Sequence, residues 1–253
     1  MKIKYFISFI GLLCLISCKK TPVAVYKIAA KEITVSDSLT SNAEINDFIA
    51  PYKAHLDAVL DSPLAYSPGN LSKNEGELNT AIGNLMADIV FEQTHPVFKA
   101  RTGKEIDFVL LNYGGIRSGI SEGNITTRTV YEVMPFENKI VIVELSTEKM
   151  DALLQYLARS KWPHPISSQL NITLNRNNEI QRVTLHGQPL GKNRTYYVAT
   201  SDYLMNLGDN MDFFADPVSV TETDYLIRNA MIDYFKKTDT VRPVTDKRFI
   251  KSD

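Results

Sequence analysis

The chain has 253 residues, 44% hydrophobic and 23% charged, with a formal net charge of −1. That is enough apolar material for a sizeable core in one large domain or two small ones. The balanced charge argues against nucleic acid as a partner, because phosphate-backbone binding requires clustered Lys and Arg.

At the N-terminus, Lys2 and Lys4 precede an apolar run from Tyr5 to Ile16 that closes on Leu15-Ile16-Ser17-Cys18. The run is too short to span a bilayer and has the layout of a secretory signal. Leu-Ile-Ser-Cys resembles the lipobox of bacterial lipoproteins, in which the cysteine is acylated and becomes the first mature residue. Residues 1–18 are therefore expected to be a lipoprotein signal peptide with Cys18 as the lipidation site. The protein would then be exported from the cytoplasm and anchored to a membrane of the cell envelope through its lipid. Cys14 would leave with the signal, so the mature domain would hold together without a disulfide.

Residues 19–35 read as a tether, and residues 36–253 as the folded domain. Ser41-Asn42-Ala43-Glu44 has capping-box spacing. Ile45, Phe48, Ile49, Tyr52, Leu56, Val59 and Leu60 then recur at helical period, predicting a helix of about 17 residues with one buried face. After a short extended piece, Leu64–Tyr66, a second amphipathic helix carries Leu78, Ile82, Leu85, Met86, Ile89 and Val90. Ile106–Leu111 is an apolar strand. Thr126–Val133 reads as a short helix or turn, and Lys139–Leu145 as a buried strand. Ser146 is the expected N-cap of a third helix through Met150, Leu153, Leu154 and Leu157. Leu170–Leu174 and Gln181–Leu185 flank a polar turn as a hairpin. Tyr196–Ser201 is a further strand, and Leu226 to Phe235 a last helix. Helices and strands interleave, but the hairpin rules out a purely parallel sheet. The expected class is α+β, a mixed sheet with helices packed on it.

The strand Ile106–Leu111 breaks at Asn112-Tyr113-Gly114-Gly115. A Gly-Gly turn lets backbone N–H groups approach a ligand closely, since no Cβ intervenes. Arg117 follows, a planar fork of donors suited to phosphate or carboxylate. Met134-Pro135-Phe136 then fixes an aromatic ring beside a proline. An anion-binding turn and a positioned ring are what a nucleotide site needs, although the same residues also suit a tight turn, a surface arginine and a core phenylalanine.

Several motifs now fall together. Asn112-Tyr113-Gly114-Gly115-Ile116-Arg117 resembles the N-G-G-G-I-R segment of the 5′-nucleotidase C-terminal domain. Gly123-Asn124-Ile125-Thr126 and Pro135-Phe136-Glu137-Asn138 are similar to its G-x-I-T and P-F-G-N elements. Gly83-Asn84-Leu85-Met86-Ala87-Asp88 resembles its G-N-L-x-A-D helix, and Tyr203-Leu204-Met205-Asn206-Leu207-Gly208-Asp209 its F-L-A-x-G-G-D loop. The resemblance spans about residues 40–250 in the same order.

It implies the family's mixed-sheet fold and a role for each matched residue. Phe136 and Tyr203 would sandwich a nucleobase, and Asp209 would hold the ribose hydroxyls. Arg117 would meet the phosphate, with Gly114 and Gly115 at the turn and Asn112 and Asn138 as polar contacts. Three positions depart from the pattern. Leu207 stands for the first Gly of G-G-D, Asn210 for the Gly after the Asp, and Glu137 for the Gly of P-F-G-N. These departures bear on sugar geometry and base preference.

Family members that hydrolyse nucleotides carry a separate N-terminal metallophosphatase domain with D-x-H, G-N-H-D/E and G-H-x-H motifs for two metal ions. Nothing in this sequence matches those motifs. His55, His95, His164 and His186 lack metal-ligand spacing and read as solvated or locally bonded. The resemblance thus implies the nucleotide-binding half of a 5′-nucleotidase-type phosphohydrolase, with no catalytic residue or metal site of its own. Two divalent metal ions would be held by a separate metallophosphoesterase chain. The alternatives are a stand-alone nucleoside- or nucleotide-binding lipoprotein, or a scaffold with a degenerate pocket.

Overall fold

The computed structural model describes residues 25–36 and 38–252. The signal segment 1–18, Cys14, the Cys18 lipidation site and the first part of the 19–35 tether lie outside the described residues. Among the described residues, no helix is long and apolar enough to cross a membrane.

The chain divides into two units, residues 1–48 and 49–253. In the first, residues 25–36 run without regular structure and are exposed, and helix α1 (Ala43–Leu60) begins. Asn42, not Ser41, caps it: the Ile45 N–H donates to Asn42 Oδ1 at 3.2 Å. The expected burial of one face does not occur, since no residue of α1 is buried. Helical periodicity reports that a helix is amphipathic; it does not supply the surface that would cover it.

In the second unit, the foot of α1 is tied by charge. Arg128 bonds Asp57 at 2.7 Å and Asp61 at 2.6 Å. Strand β1 (Pro63–Ser67) leads to helix α2 (Ala81–Thr102). Thr80 caps α2 by accepting from the Gly83 N–H at 3.1 Å. Strand β2 (Phe108–Val109) is followed by strand β3 (Gly123–Thr126), helix α3 (Thr127–Val133) and strand β4 (Lys139–Leu145). Helix α4 (Thr147–Arg159) starts at Ser146, which accepts from the Lys149 N–H at 3.2 Å. Strands β5 (Leu170–Leu174), β6 (Ile180–Leu185), β7 (Gln188–Pro189) and β8 (Tyr196–Ser201) precede the short helix α5 (Asp202–Met205). Strand β9 (Ser219–Leu226), helix α6 (Ile227–Phe235) and strand β10 (Phe249–Lys251) complete the unit.

The sheets are mixed, as expected. The central one has order β2-β8-β4-β9, with β2 and β8 parallel and the other two pairs antiparallel. A second has order β10-β5-β6-β7, in which β5 and β6 form the anticipated hairpin and β10 joins parallel to β5. A two-stranded sheet pairs β1 with β3.

Strand β4 shows how the layers arise. Its side chains alternate between two cores: Ile140 and Ile142 face one with α2 and α6, while Val141, Val143 and Leu145 face the other with α4 and the second sheet. Burial of each such side chain stabilises the fold by about 1.5–3 kcal/mol. A strand apolar on both faces is therefore forced into the middle layer. The central sheet consequently lies between helices on one side and a helix plus the second sheet on the other. The loops leaving β2 and β8 and the loop entering β4 carry the site motifs.

Candidate functional site

After β2 the backbone leaves the sheet and makes a single 3-10 turn, Tyr113–Gly115. The side chain of Asn112 folds back over this turn. A Cβ on Gly115 would lie 2.8 Å from Asn112 Oδ1, so a larger residue would push that side chain aside. The turn is clamped by backbone bonds, Gly115 N–H to Asn112 O at 3.1 Å and Arg117 N–H to Val133 O at 2.8 Å.

The turn is also held from beneath by His164. Its Nδ1 accepts from the Tyr113 N–H at 3.3 Å, and the side chain is buried. Burial pushes its pKa down to about 4, opposed in part by the charge of Asp209. It is therefore neutral, with the proton on Nε2, which has no hydrogen-bond partner among the described residues. Sequence reading takes His164 for a solvated or locally bonded residue. It is instead a long-range support of the glycine turn, and the flanking Pro163 and Pro165, which fix its backbone, were the available signal.

Between α3 and β4 runs the loop Pro135-Phe136-Glu137-Asn138, held by a residue that the motifs do not mark. Arg228, buried at the start of α6, donates to Pro135 O and Phe136 O, each at 3.2 Å, and to Glu137 Oε1 at 2.7 Å. Its guanidinium also lies 4.2 Å from the centroid of the Tyr131 ring. The Ile227 N–H donates to Asn138 O at 3.0 Å. Phe136 is consequently presented outward, 39% exposed, and is not a core ring. Glu137 is spent on Arg228 and lies away from the cavity walls, so this departure from the pattern leaves the site's shape intact.

After β8, α5 places Tyr203, 46% exposed, and the chain then turns sharply. Leu207, Asp209 and Asn210 all have left-handed backbone, at φ of 66°, 53° and 56°. Such φ is costly for a leucine. Its side chain is 44% exposed and does not line the cavity, so the bulk feared at this position points elsewhere. Gly208 shapes the site in a different way, by letting the Tyr203 ring approach closely. A Cβ on it would fall 2.5 Å from Tyr203 Cε1, because the ring packs directly against its backbone.

The glycine turn, the loop after β8 and helix α4 meet at Asp209. Oδ2 accepts from Asn112 Nδ2 at 2.8 Å, Oδ1 accepts from the Tyr203 hydroxyl at 2.9 Å, and the backbone carbonyl accepts from the Tyr156 hydroxyl at 2.9 Å. The bond to Asp209, then burial, raises the Tyr203 hydroxyl's pKa. Each carboxylate oxygen keeps a second lone pair for a ligand.

Around this junction lies a cavity of about 290 Å³ walled by Asn112, Gly114, Gly115, Arg117, Phe136, Asn138, Tyr203 and Asp209. These are the eight positions expected from the sequence, and the fold brings all of them together. The volume is near the lower end of the range for small-ligand sites, roughly 300 Å³. The Arg117 guanidinium lies 5.9 Å from the Phe136 ring centroid and makes a long 3.4 Å bond to Gly114 O. One wall thus carries a carboxylate, another a guanidinium, and two rings are half exposed.

The described residues contain no group of three His, Cys, Asp or Glu side chains placed to hold a metal ion. The two metals that the family's hydrolases use therefore have no fitting donor set among them.

Comparison with known proteins places this architecture. The family model for the 5′-nucleotidase C-terminal domain matches residues 61–216, well over half the chain. The chain belongs to that family. Protein UshA of Yersinia enterocolitica is 24% identical over 235 residues, covering 90% of this chain and 42% of its own length. The trifunctional nucleotide phosphoesterase protein YfkN of Bacillus subtilis is also 24% identical, over 81% of this chain and 15% of its own. A 5′-nucleotidase precursor from Thermus thermophilus shares the fold with a TM-score of 0.66 at 22% identity, over 81% of this chain and 42% of that one. This chain thus spans less than half the length of these relatives.

Proposed function

We propose that this protein is the nucleotide-binding half of a 5′-nucleotidase-type phosphohydrolase, acting in nucleotide breakdown. The carrying observation is the convergence of Phe136, Tyr203, Asp209 and Arg117 on one cavity of about 290 Å³. Two rings suit the faces of a nucleobase, at about 1–3 kcal/mol per stack. An acceptor-only carboxylate suits a vicinal diol, and a guanidinium suits a phosphate. Asn112 and Asn138 add polar contacts, and Gly114 and Gly115 let the ligand approach the backbone. Holding the base and ribose remote from the reacting group positions the phosphate for attack.

In this reading the two divalent metal ions sit on a separate metallophosphoesterase chain. Arg117 would orient the phosphate toward that chain, whose metals would supply the chemistry of activating water and neutralising charge. Cys18 carries the lipid that anchors the complex to a membrane of the cell envelope, with residues 19–35 as tether and 36–253 as binding domain. The test has three arms. The full chain is titrated with adenosine and AMP; it is mixed with two-metal phosphoesterases while phosphate release from AMP is followed; and Cys18→Ser is checked for loss from the membrane fraction. Binding of neither adenosine nor AMP overturns the site, and no turnover or association with any such partner overturns the split enzyme.

A second reading has its own support. The Asn112–Asp209–Tyr203 junction is made entirely of this chain's own residues, which favours a pocket that binds without a partner's help. A stand-alone nucleotide-capturing protein would bind AMP with the same affinity whether or not a phosphoesterase is present. The split enzyme binds it more tightly in the pair.

A further inference from the structure

A second concavity, of about 600 Å³, shares no wall residue with the cavity around Asp209. One bank is a face of α4, where Ala152, Gln155, Tyr156 and Arg159 recur at helical spacing. The other bank is the segment after Asp209, carrying Asn210, Asp212 and Phe213. Lys161 and Trp162, just beyond the end of α4, complete the groove.

Trp162 is the chain's single tryptophan and is 58% exposed. It is nevertheless fixed in place. Its N–H donates to Ser160 Oγ at 3.1 Å, and its carbonyl accepts from the Ser160 hydroxyl at 3.1 Å and from the His164 N–H at 2.9 Å. One face of the indole stacks on Tyr113, with centroids 4.9 Å apart and planes 17° from parallel. The opposite face is left open. An exposed ring held this way is a contact surface that costs little to order on binding.

Four planar polar side chains line the same groove: Gln155, Arg159, Asn210 and Asp212. None of them has a side-chain hydrogen bond or ion pair among the described residues. This combination discriminates among occupants. A wholly apolar one would cover those groups and leave them without partners. An anion would be drawn to Arg159 and Lys161 but repelled by Asp212 on the facing bank. A neutral ligand with one apolar face and a rim of hydroxyls meets every group. Its C–H bonds lie on the indole, its hydroxyls donate to Asp212 and accept from Arg159, and Gln155 and Asn210 do either. A pyranose ring is built that way. The volume also falls within the roughly 300–1,000 Å³ of small-ligand sites.

We propose that this groove is a carbohydrate-binding site for a neutral pyranose saccharide, with Trp162 as its stacking platform and Asp212, Asn210, Gln155 and Arg159 as its hydroxyl contacts. It stands apart from the nucleotide reading and does not depend on it.

Because the full chain has one tryptophan, its fluorescence reports this ring directly. The chain is titrated with tetrasaccharides of α-1,4-glucose, β-1,4-glucose and β-1,4-N-acetylglucosamine, and with sorbitol, which has the hydroxyls but no flat C–H face. At least one tetrasaccharide is expected to shift the emission saturably, with Kd on the order of millimolar or below, and sorbitol is not. Saturating AMP should leave that response in place. By ligand-observed NMR, binding of the same saccharide should be lost in Trp162→Ala. In Asp212→Ala it should weaken about tenfold while adenosine affinity stays within about twofold of wild type. Silence toward all three tetrasaccharides overturns the proposal, as does an equal response to sorbitol, displacement by AMP, or unchanged saccharide binding in either variant. A response to benzoate or to an acidic peptide in place of the saccharides would make the groove an anion or peptide site, and overturns it too.

Discussion

Asn112 and Asp209 stand 97 residues apart in the chain, yet the amide of one donates to the carboxylate of the other at 2.8 Å. That bond joins the glycine turn after β2 to the left-handed loop after β8, and it orients the carboxylate that a ribose would meet. Asp209→Ala should weaken adenosine and AMP alike, by roughly tenfold to a hundredfold, as for other hydrogen bonds to a charged group. Arg117→Ala should weaken AMP and leave adenosine nearly unchanged. Calorimetric titration of both ligands against both variants separates sugar from phosphate contacts; equal loss of both ligands in Arg117→Ala would contradict the phosphate role.

The aromatic pair makes a second prediction. Phe136→Ala and Tyr203→Ala should each cost about 1–3 kcal/mol of nucleoside affinity with little change in thermal stability, because both rings are half exposed. Tyr203→Phe keeps the stacking face but removes the donor to Asp209 Oδ1, so its loss should be smaller and confined to ligands with a free ribose diol.

Gly208→Ala tests the packing behind Tyr203. The added methyl meets the ring at 2.5 Å, and the ring has to move. Nucleoside affinity should fall as far as in Tyr203→Ala while the unfolding midpoint shifts little, which denaturation and titration on the same sample would show.

Arg228 supports the site without lining it. Arg228→Met removes two bonds to loop carbonyls and the one to Glu137, whose side chain is 80% exposed and returns to water. Urea denaturation should show a loss of about 1–3 kcal/mol, and adenosine binding at 25 °C should weaken because Phe136 loses its anchor. Unchanged binding would mean that the loop holds its shape without this residue.

His164 gives a pH dependence. Its pKa is lowered from 6.5 to about 4 in the folded chain, so the unfolded chain binds the proton more readily between those values. Its contribution is fully present above pH 6.5 and is lost as pH falls toward 4, amounting to about 3 kcal/mol at most. Wild type should therefore lose more stability between pH 7 and 4.5 than His164→Gln, measured by denaturant midpoints at each pH. Parallel slopes would contradict a buried, neutral histidine.

The regular elements were largely legible because each declares itself locally. β4 and α4 follow from an apolar run and a serine cap, and the hairpin β5–β6 from its polar turn. The eight wall residues were legible because they lie in short motifs with fixed order. What stayed hidden has a common cause. The edge strand β9 carries mostly polar residues, β3 exists by pairing with β1, and β10 is three residues held beside β5. The periodic face of α1 predicted a burial that does not occur.

The sequence by itself determined which residues could serve a nucleotide, since ring, carboxylate, guanidinium and glycine are chemical identities. Only the tertiary structure decided that Arg228, His164 and Lys73 bond to the loops that carry those residues, and that Glu137 and Leu207 stay off the cavity walls. Each of those outcomes depends on a contact between distant segments, with separations of 91 residues for Arg228 to Glu137 and 43 for Lys73 to Ile116. No local pattern encodes such a contact; it appears when the central sheet fixes where its loops emerge.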